Sequence, residues 1–471
     1  MAESALIPSE IDFGAKAFQF YIGVTMIAPH VTEIVCLEPS SLALRLKGQA
    51  NVTLLESVMR SEHLGRYSFL ACNPARTLKI TQGCTFIDGV KQQQTPLELI
   101  TRLVSEHRLP HVPGLPPFQG GLAGFIAYDF GRSLEPHAKI PDFDPLCPDL
   151  ILHRYDTVAA FDHMQERAWV ISTDPEKAER FEALLNTPPK SLGSHAIAGW
   201  QSNFTQSEYE TAIARTVEYI LAGDIFQANV TQMFSAAIPQ DFDPLAFYRM
   251  LRLKNPATFA AYLDYGDIQI ASSSPERLLR QDGVNVEARP IKGTRRRDAD
   301  PSRDATLIAE LASSRKDRAE NVMIVDLLRN DLSRVSKPGT VKVPILCGLE
   351  TYANVHHLVS VITSELRDGL GIGDVIGATF PGGSITGAPK IRAMEIIAEI
   401  ERRARGVYCG AIGYIGFNGK SDFNIAIRTA QFASGVARVQ GGGGITARSN
   451  PTAEYEESLT KIRRIMEAFA P

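Results

Sequence analysis

Val407-Tyr408-Cys409-Gly410-Ala411-Ile412-Gly413-Tyr414-Ile415-Gly416-Phe417 is followed by Asp422-Phe423-Asn424-Ile425-Ala426-Ile427-Arg428-Thr429-Ala430-Gln431-Phe432, then by Ala437-Arg438-Val439-Gln440-Gly441. These three apolar, β-branched and aromatic runs read as strands in succession, with no helix between them. A helical pattern over 454–469 closes the chain. Working back, residues 389–403 read as a helix entered through Pro389 after a glycine-rich turn. Residues 355–363 read as a strand, and 303–335 as a long helical region with a break. Strands are expected at 225–234, 259–263 and 267–272. Thr205 with Glu208 three residues later forms a capping-box pattern, opening a helix that runs to Leu221 and stops at Gly223-Asp224. Strands and helices come in blocks, so the expected class is α+β, in layers with mostly antiparallel sheets.

The first part has the same texture. Residues 53–57, 66–70, 153–161 and 168–173 read as strands, 120–128 as a strand broken by glycines, and 96–107 as an amphipathic helix. The segment 186–202 holds prolines, serines and glycines with little periodicity. It divides the chain into an N-terminal domain, 1–190, and a larger C-terminal domain, 205–471.

Composition narrows the function classes. The chain has 471 residues, 44% hydrophobic and 22% charged, with a net charge of −4, so no electrostatic case for nucleic acid arises. Six cysteines lie scattered at positions 36, 72, 84, 147, 347 and 409, which suits buried thiols in a reducing compartment. The apolar run 17–28 is short and interrupted, and no segment reaches the length of a membrane helix. A cytoplasmic protein is expected.

The residues with chemical potential are few. In Ala288-Arg289-Pro290-Ile291-Lys292-Gly293-Thr294 a lysine stands between a backbone-fixing proline and a backbone-freeing glycine. Held in a dry pocket, such a lysine can lose its proton and attack carbon. Beside Arg295-Arg296-Arg297 it reads equally as a solvated loop lysine. Glu276, after a proline turn, can serve as a general acid if burial raises its pKa, or as a partner for Arg277. Asp317 with Glu320, and Glu454 with Glu457, are i, i+3 pairs on helix faces. Opposed across a cleft they would repel without a cation, and carboxylate oxygens suit Mg²⁺; each pair also reads as a solvated face. Pro381 to Lys390 is a glycine-rich turn before a helix, suited to an anion, and Gln440 to Gly444 permits close backbone approach. Arg428, Lys461 and His357 are further anion or proton handlers.

Taken together, Gly223-Asp224-Ile225-Phe226-Gln227-Ala228-Asn229, Lys316-Asp317-Arg318-Ala319-Glu320-Asn321, Ile324 to Asp331, His357-Leu358-Val359-Ser360 and Gly387-Ala388-Pro389-Lys390 make the second half resemble the chorismate-binding family. That family includes anthranilate synthase component I, aminodeoxychorismate synthase component I and the isochorismate and salicylate synthases. The first half resembles the family's N-terminal domain more weakly, through Leu54-Leu55-Glu56-Ser57. The resemblance implies a layered sandwich of two mostly antiparallel sheets with helices packed on them. Water-using members carry a lysine where this chain has Gln227. Anthranilate synthases carry alanine where it has Lys292, so the resemblance is nearest to the aminodeoxychorismate synthases of the para-aminobenzoate and folate branch.

The resemblance further implies Lys292 as nucleophile, Glu276 as general acid and His357 near the substrate ring. It implies Mg²⁺ at Glu320 and Glu457. Substrate contacts fall to Arg428, Lys461, Tyr414, Thr294, Gly442 and Gly443. A separate glutamine amidotransferase subunit would supply ammonia, and tryptophan would bind at Ser57, Thr258, Phe259 and Ala260. Anthranilate synthase component I, or a catalytically silent amino-acid-binding subunit, are the alternatives.

Overall fold

The computed structural model describes residues 28–60, 64–140, 143–352 and 355–471. The apolar run 17–28, apart from Ala28, lies outside them. Among the described residues the chain builds two 12-stranded sheets from antiparallel pairs, with eleven α-helices packed on them. The expected α+β sandwich is the observed one.

Each sheet draws five strands from before residue 190 and seven from after it. In the first sheet the two halves meet where Val52–Glu56 pairs with Phe259–Asp264, and in the second where Gly121–Ile126 pairs with Ala411–Gly416. Both seams are full ladders, so each sheet is continuous across the two halves of the chain.

The layers follow from side-chain alternation. Phe125, Ile151 and Ile412 of the second sheet meet Ala261, Leu263 and Ile270 of the first in the space between them. An aromatic group of Phe69, Phe118, Tyr155, Trp169 and Tyr414 fills the neighbouring interior. The outer face of the first sheet is covered by Leu42, Phe181, Phe247 and Ile465 from four helices, and that of the second by Leu99, Ile324, Leu328 and Val375.

The helices begin where the sequence places caps. The Thr205 hydroxyl accepts from the Glu208 N–H at 3.3 Å, and the Glu208 carboxylate accepts from the Thr205 N–H at 2.7 Å. The long helical region breaks at Ser314, whose hydroxyl accepts from Asp317 N–H and starts the helix Arg315–Ser333. Asn450 caps Pro451–Ala468 in the same way.

Two expected strands are each two strands. The 153–161 run divides at Asp156 into Leu150–Tyr155 and Thr157–Asp162, which lie in different sheets. The 422–432 run divides into Lys420–Asn424 and Thr429–Ala433, again in different sheets, with Arg428 at φ +55° in the connection. An interior strand is apolar whichever sheet it joins, so hydrophobicity alone does not mark a crossing.

Candidate active site

Lys292 stands on Ile291–Arg296, which pairs with Val355–Glu365 in a ladder that slips between Ile291 and Thr294. A slip of this kind re-aims a side chain. Gly293 makes it possible: its φ is +82°, and a Cβ there would sit 2.9 Å from Asp317 Cβ and from Leu311 Cδ1. Lys292 therefore turns inward, and its Nζ donates to the carbonyl of Ser384 at 3.0 Å.

Glu276 lies where the chain leaves one sheet at Ser274 and joins the other at Arg277. The crossing at residues 425–428 runs beside it. Ile425 N–H donates to Glu276 O at 2.9 Å, Ser273 N–H to Arg428 O at 3.0 Å, and the Ser274 hydroxyl to Ile425 O at 2.6 Å. Glu276 is 6% exposed, and its carboxylate accepts from Ile291 N–H at 3.4 Å, one residue before the lysine.

Burial drives both groups toward their neutral forms. It lifts the Glu276 carboxyl above the usual range, against the Lys292 ammonium, the Ser384 side chain and the Ile291 N–H. It pulls Lys292 below the usual amine range, against the attraction of Glu276, Glu320 and Glu457; Lys461 adds to the fall. Glu320 and Glu457 thus share one neighbourhood with Lys292, although they lie on different helices, 137 residues apart in sequence. Glu320 is lifted by burial against Lys292 and Lys316, and its Oε1 is buried with no hydrogen-bond partner. Burial lifts Glu457 as well, but Lys461 at 2.7 Å brings it below the usual carboxylate range.

The strand Val436–Ile445 forms the adjoining wall. A Cβ on Gly443 would lie 3.1 Å from Glu454 Oε2, 3.3 Å from Lys461 Nζ and 3.6 Å from Glu457 Oε1. Lys461 also donates to Gly442 O at 2.8 Å. Asp317 and Glu454 are engaged elsewhere, with Arg295 and Ser449 respectively. Of the two acidic pairs, Glu320 and Glu457 are the members that act on Lys292, alongside Glu276. Among the described residues no three His, Cys, Asp or Glu side chains form a metal cage. Two glutamates, one with an orphaned oxygen, fit a hard cation that completes its shell with water and substrate.

The Arg428 guanidinium makes no hydrogen bond or ion pair among the described residues. Burial pulls its pKa down, against Tyr408 and Glu457. Its left-handed φ is strained for a non-glycine residue, and a half-buried guanidinium without a carboxylate partner suits an anionic ligand. Burial pushes His357 down to about 4, so the imidazole is neutral at pH 7. His357 Nδ1 and the Thr294 hydroxyl are 2.8 Å apart.

Tyr414 requires a correction. It packs between the sheets, with ring centroids 4.7 Å from Phe118 and 5.3 Å from Phe69, rather than beside Lys292. Tyr408 is the aromatic residue facing Arg428. The two tyrosines lie six residues apart on one run, and only the break before Ala411–Gly416 tells them apart. Ser57 donates to the carbonyls of Tyr67 and Thr258 at 2.7 and 3.1 Å, and Ala260 pairs with Glu56. Ser57, Thr258, Phe259 and Ala260 thus gather at the seam of the first sheet. Gln227 is fully buried, and both its amide atoms lack partners. A cleft of about 990 Å³, lined by Lys139, Phe143 and Asp144 and by the helix Lys390–Glu401, contains none of the predicted site residues.

The sequence profile of the chorismate binding enzymes matches residues 53–467. The chain is 40% identical over 458 residues to anthranilate synthase component 1 of Pseudomonas aeruginosa, covering 92% of this chain and 93% of that one. It is also 40% identical over 406 residues to aminodeoxychorismate synthase component 1 of Salmonella typhimurium, covering 85% and 89%. Among solved structures, anthranilate synthase component I of Streptococcus pneumoniae superposes with a TM-score of 0.77 at 32% identity, covering 92% and 98%. The menaquinone-specific isochorismate synthase of Escherichia coli shares the fold, with a TM-score of 0.71 at 18% identity over 94% and 96%.

Proposed function

The chain belongs to the chorismate binding enzymes, and on that premise we propose that it makes 4-amino-4-deoxychorismate from chorismate and ammonia. Relatives at the same identity carry two different names, so overall similarity does not choose between the products. The observation that carries the reading is Lys292, half-buried and turned inward beside Glu276, with its Nζ on the Ser384 carbonyl.

The reaction follows from the proton positions. An amine attacks carbon only when neutral, and an acid assists a departing hydroxyl only when protonated. Burial favours both states here. Lys292 Nζ forms a bond to C2 of the ring as the double bonds shift and the C4–O bond breaks. Glu276 gives its proton to the departing oxygen, which leaves as water. Ammonia then bonds to C4, the double bonds shift back, and Lys292 departs from C2 as the neutral amine, leaving while its nitrogen still carries the extra proton of the adduct. The ammonium formed at C4 returns its surplus proton to Glu276. Arg428 and Lys461, with the backbone at Gly442 and Gly443, hold the substrate carboxylates, and Thr294 and His357 border the ring.

Glu320 and Glu457 would hold Mg²⁺, which when bound supplies positive charge for the ring carboxylate. Ammonia comes from a separate glutamine amidotransferase subunit. Burial pushes the Cys72 and Cys409 thiols up to about 12, where they are poor nucleophiles for glutamine. The seam at Ser57, Thr258, Phe259 and Ala260 is the place for tryptophan, and a rise in melting temperature on adding it is the expected sign.

Mass spectrometry of the products from chorismate, Mg²⁺ and ammonium chloride tests the reading. Aminodeoxychorismate is expected; direct release of anthranilate would make the chain an anthranilate synthase component and end the proposal.

A further inference from the structure

Lys292 and Glu276 meet a third group. The turn Gly383–Ile385 is fixed from several sides: Arg405 donates to Ile385 O at 3.0 Å, Asn229 N–H to Thr386 O at 2.7 Å, and Lys390 binds Asp331 at 2.7 Å. A Cβ on Gly383 would come within 2.5 Å of Leu327 Cδ2, so the turn lies directly against the helix that carries Glu320. Ser384, in the middle of this turn, is 6% exposed. Its carbonyl accepts from Lys292 Nζ at 3.0 Å. Its hydroxyl is buried without a hydrogen-bond partner at ordinary geometry, and the group it faces is the Glu276 carboxyl.

A buried, unsatisfied hydroxyl costs stability, and its presence in a folded protein calls for an explanation. Resting Glu276 is driven toward the neutral acid, which has little need of another donor. That changes when its proton passes to the departing oxygen: the carboxylate left behind has the Ile291 N–H only at 3.4 Å, and the nearby Ser384 side chain favours its charged form. A hydrogen bond to an ionised group is about twice as strong as a neutral one, so the contact strengthens as charge develops.

We propose that Ser384 is a positioning residue for leaving-group departure: its carbonyl aims Lys292, and its hydroxyl closes onto the Glu276 carboxylate formed as the C4–O bond breaks. One residue thereby keeps nucleophile and acid in register on a rigid turn. The inference rests on the amination reading above.

The test uses Ser384→Ala and Ser384→Cys in the full chain with chorismate, Mg²⁺ and ammonium chloride. The cysteine keeps the shape and is a poor donor. Both variants should lose about 10- to 100-fold in kcat with KM little changed. The alkaline limb of the pH profile should also move up. The hydroxyl favours the Glu276 carboxylate, so its loss raises that pKa and keeps the acid protonated to higher pH. The other charged groups facing the pair, Glu320, Glu457 and Lys461, stay in place, so a moved limb reports Ser384.

Unchanged kcat, or an unmoved limb in either folded variant, overturns the inference. If Ser384→Ala does not fold, Ser384→Cys decides alone. Failure of the amination reading looks different, because the unmodified chain then releases another product.

Discussion

The chain passes from one sheet to the other in both halves, and the two regions treat charge differently. In the first half the connection at Asp156 is closed by Arg154 at 3.1 Å and Lys177 at 2.7 Å. In the second half the connections at Glu276 and Arg428 lie side by side. There Arg428 has no partner among the described residues, and Glu276 faces an amine that burial disfavours as a cation. The first-half crossing neutralises its charge and is finished; the second leaves cation and acid unsatisfied, held by backbone and by Ser384. Unpaired buried charge is expensive.

Lys292→Ala should break the contrast most sharply. Formation of aminodeoxychorismate with ammonia should fall on the order of 10³-fold or more, with any remaining product shifted toward anthranilate, read by mass spectrometry. Melting temperature should hold or rise, since a disfavoured buried amine is gone. If turnover and product are both unchanged, Lys292 has no chemical role.

Glu276→Gln comes next, at about 10²- to 10⁴-fold in kcat. The unmodified chain should show a bell-shaped profile. Activity falls at low pH as Lys292 becomes protonated and at high pH as Glu276 ionises, and both limbs belong to the coupled pair. The glutamine variant should lose the alkaline limb, and a retained limb would assign the acid elsewhere.

Glu320→Gln sharpens the comparison on the metal side. Calorimetric Mg²⁺ affinity should weaken by at least the ~10–100-fold that losing an outer-shell partner costs, with the melting temperature little changed because Oε1 makes no hydrogen bond and has only a long, partly exposed ion pair to Lys316 at 3.9 Å to lose. Mg²⁺ binding of unaltered strength would remove Glu320 from the site.

The smallest effect belongs to the first-half crossing. Lys177→Met removes a partly exposed partner of Asp156 and should cost about 1 kcal/mol or less in chemical denaturation, with kcat unchanged. A large kcat loss there would mean that the two crossings are coupled.

Much of this was legible in the chain. The cap at Thr205 and the acidic pairs at helical spacing keep their form in the fold, and the Pro290-Ile291-Lys292-Gly293 stretch, which reads as a turn, enters the strand Ile291–Arg296 with the ladder slipping at Gly293. The crossings were not legible. Residues 153–161 and 422–432 each read as one strand, because a residue buried between two sheets is apolar on either side. Tyr414 was chosen over Tyr408 for the same reason: both sit on one apolar run, and only the backbone break between them decides which faces Arg428. Ser384 gave no signal beyond its glycine-rich surroundings, since an unsatisfied hydroxyl is a property of neighbours and not of sequence.

The order of residues therefore determined which groups were available: an amine flanked by proline and glycine, a carboxyl after a proline, acidic pairs at helical spacing, and the strand-rich halves that pair into sheets. It did so because caps, turns and periodicity act over a few residues. The fold alone decided which charges went unanswered. Desolvation and ion pairing depend on segments far apart in the chain, and only their meeting at the second-half crossing drives Lys292 and Glu276 toward their neutral forms.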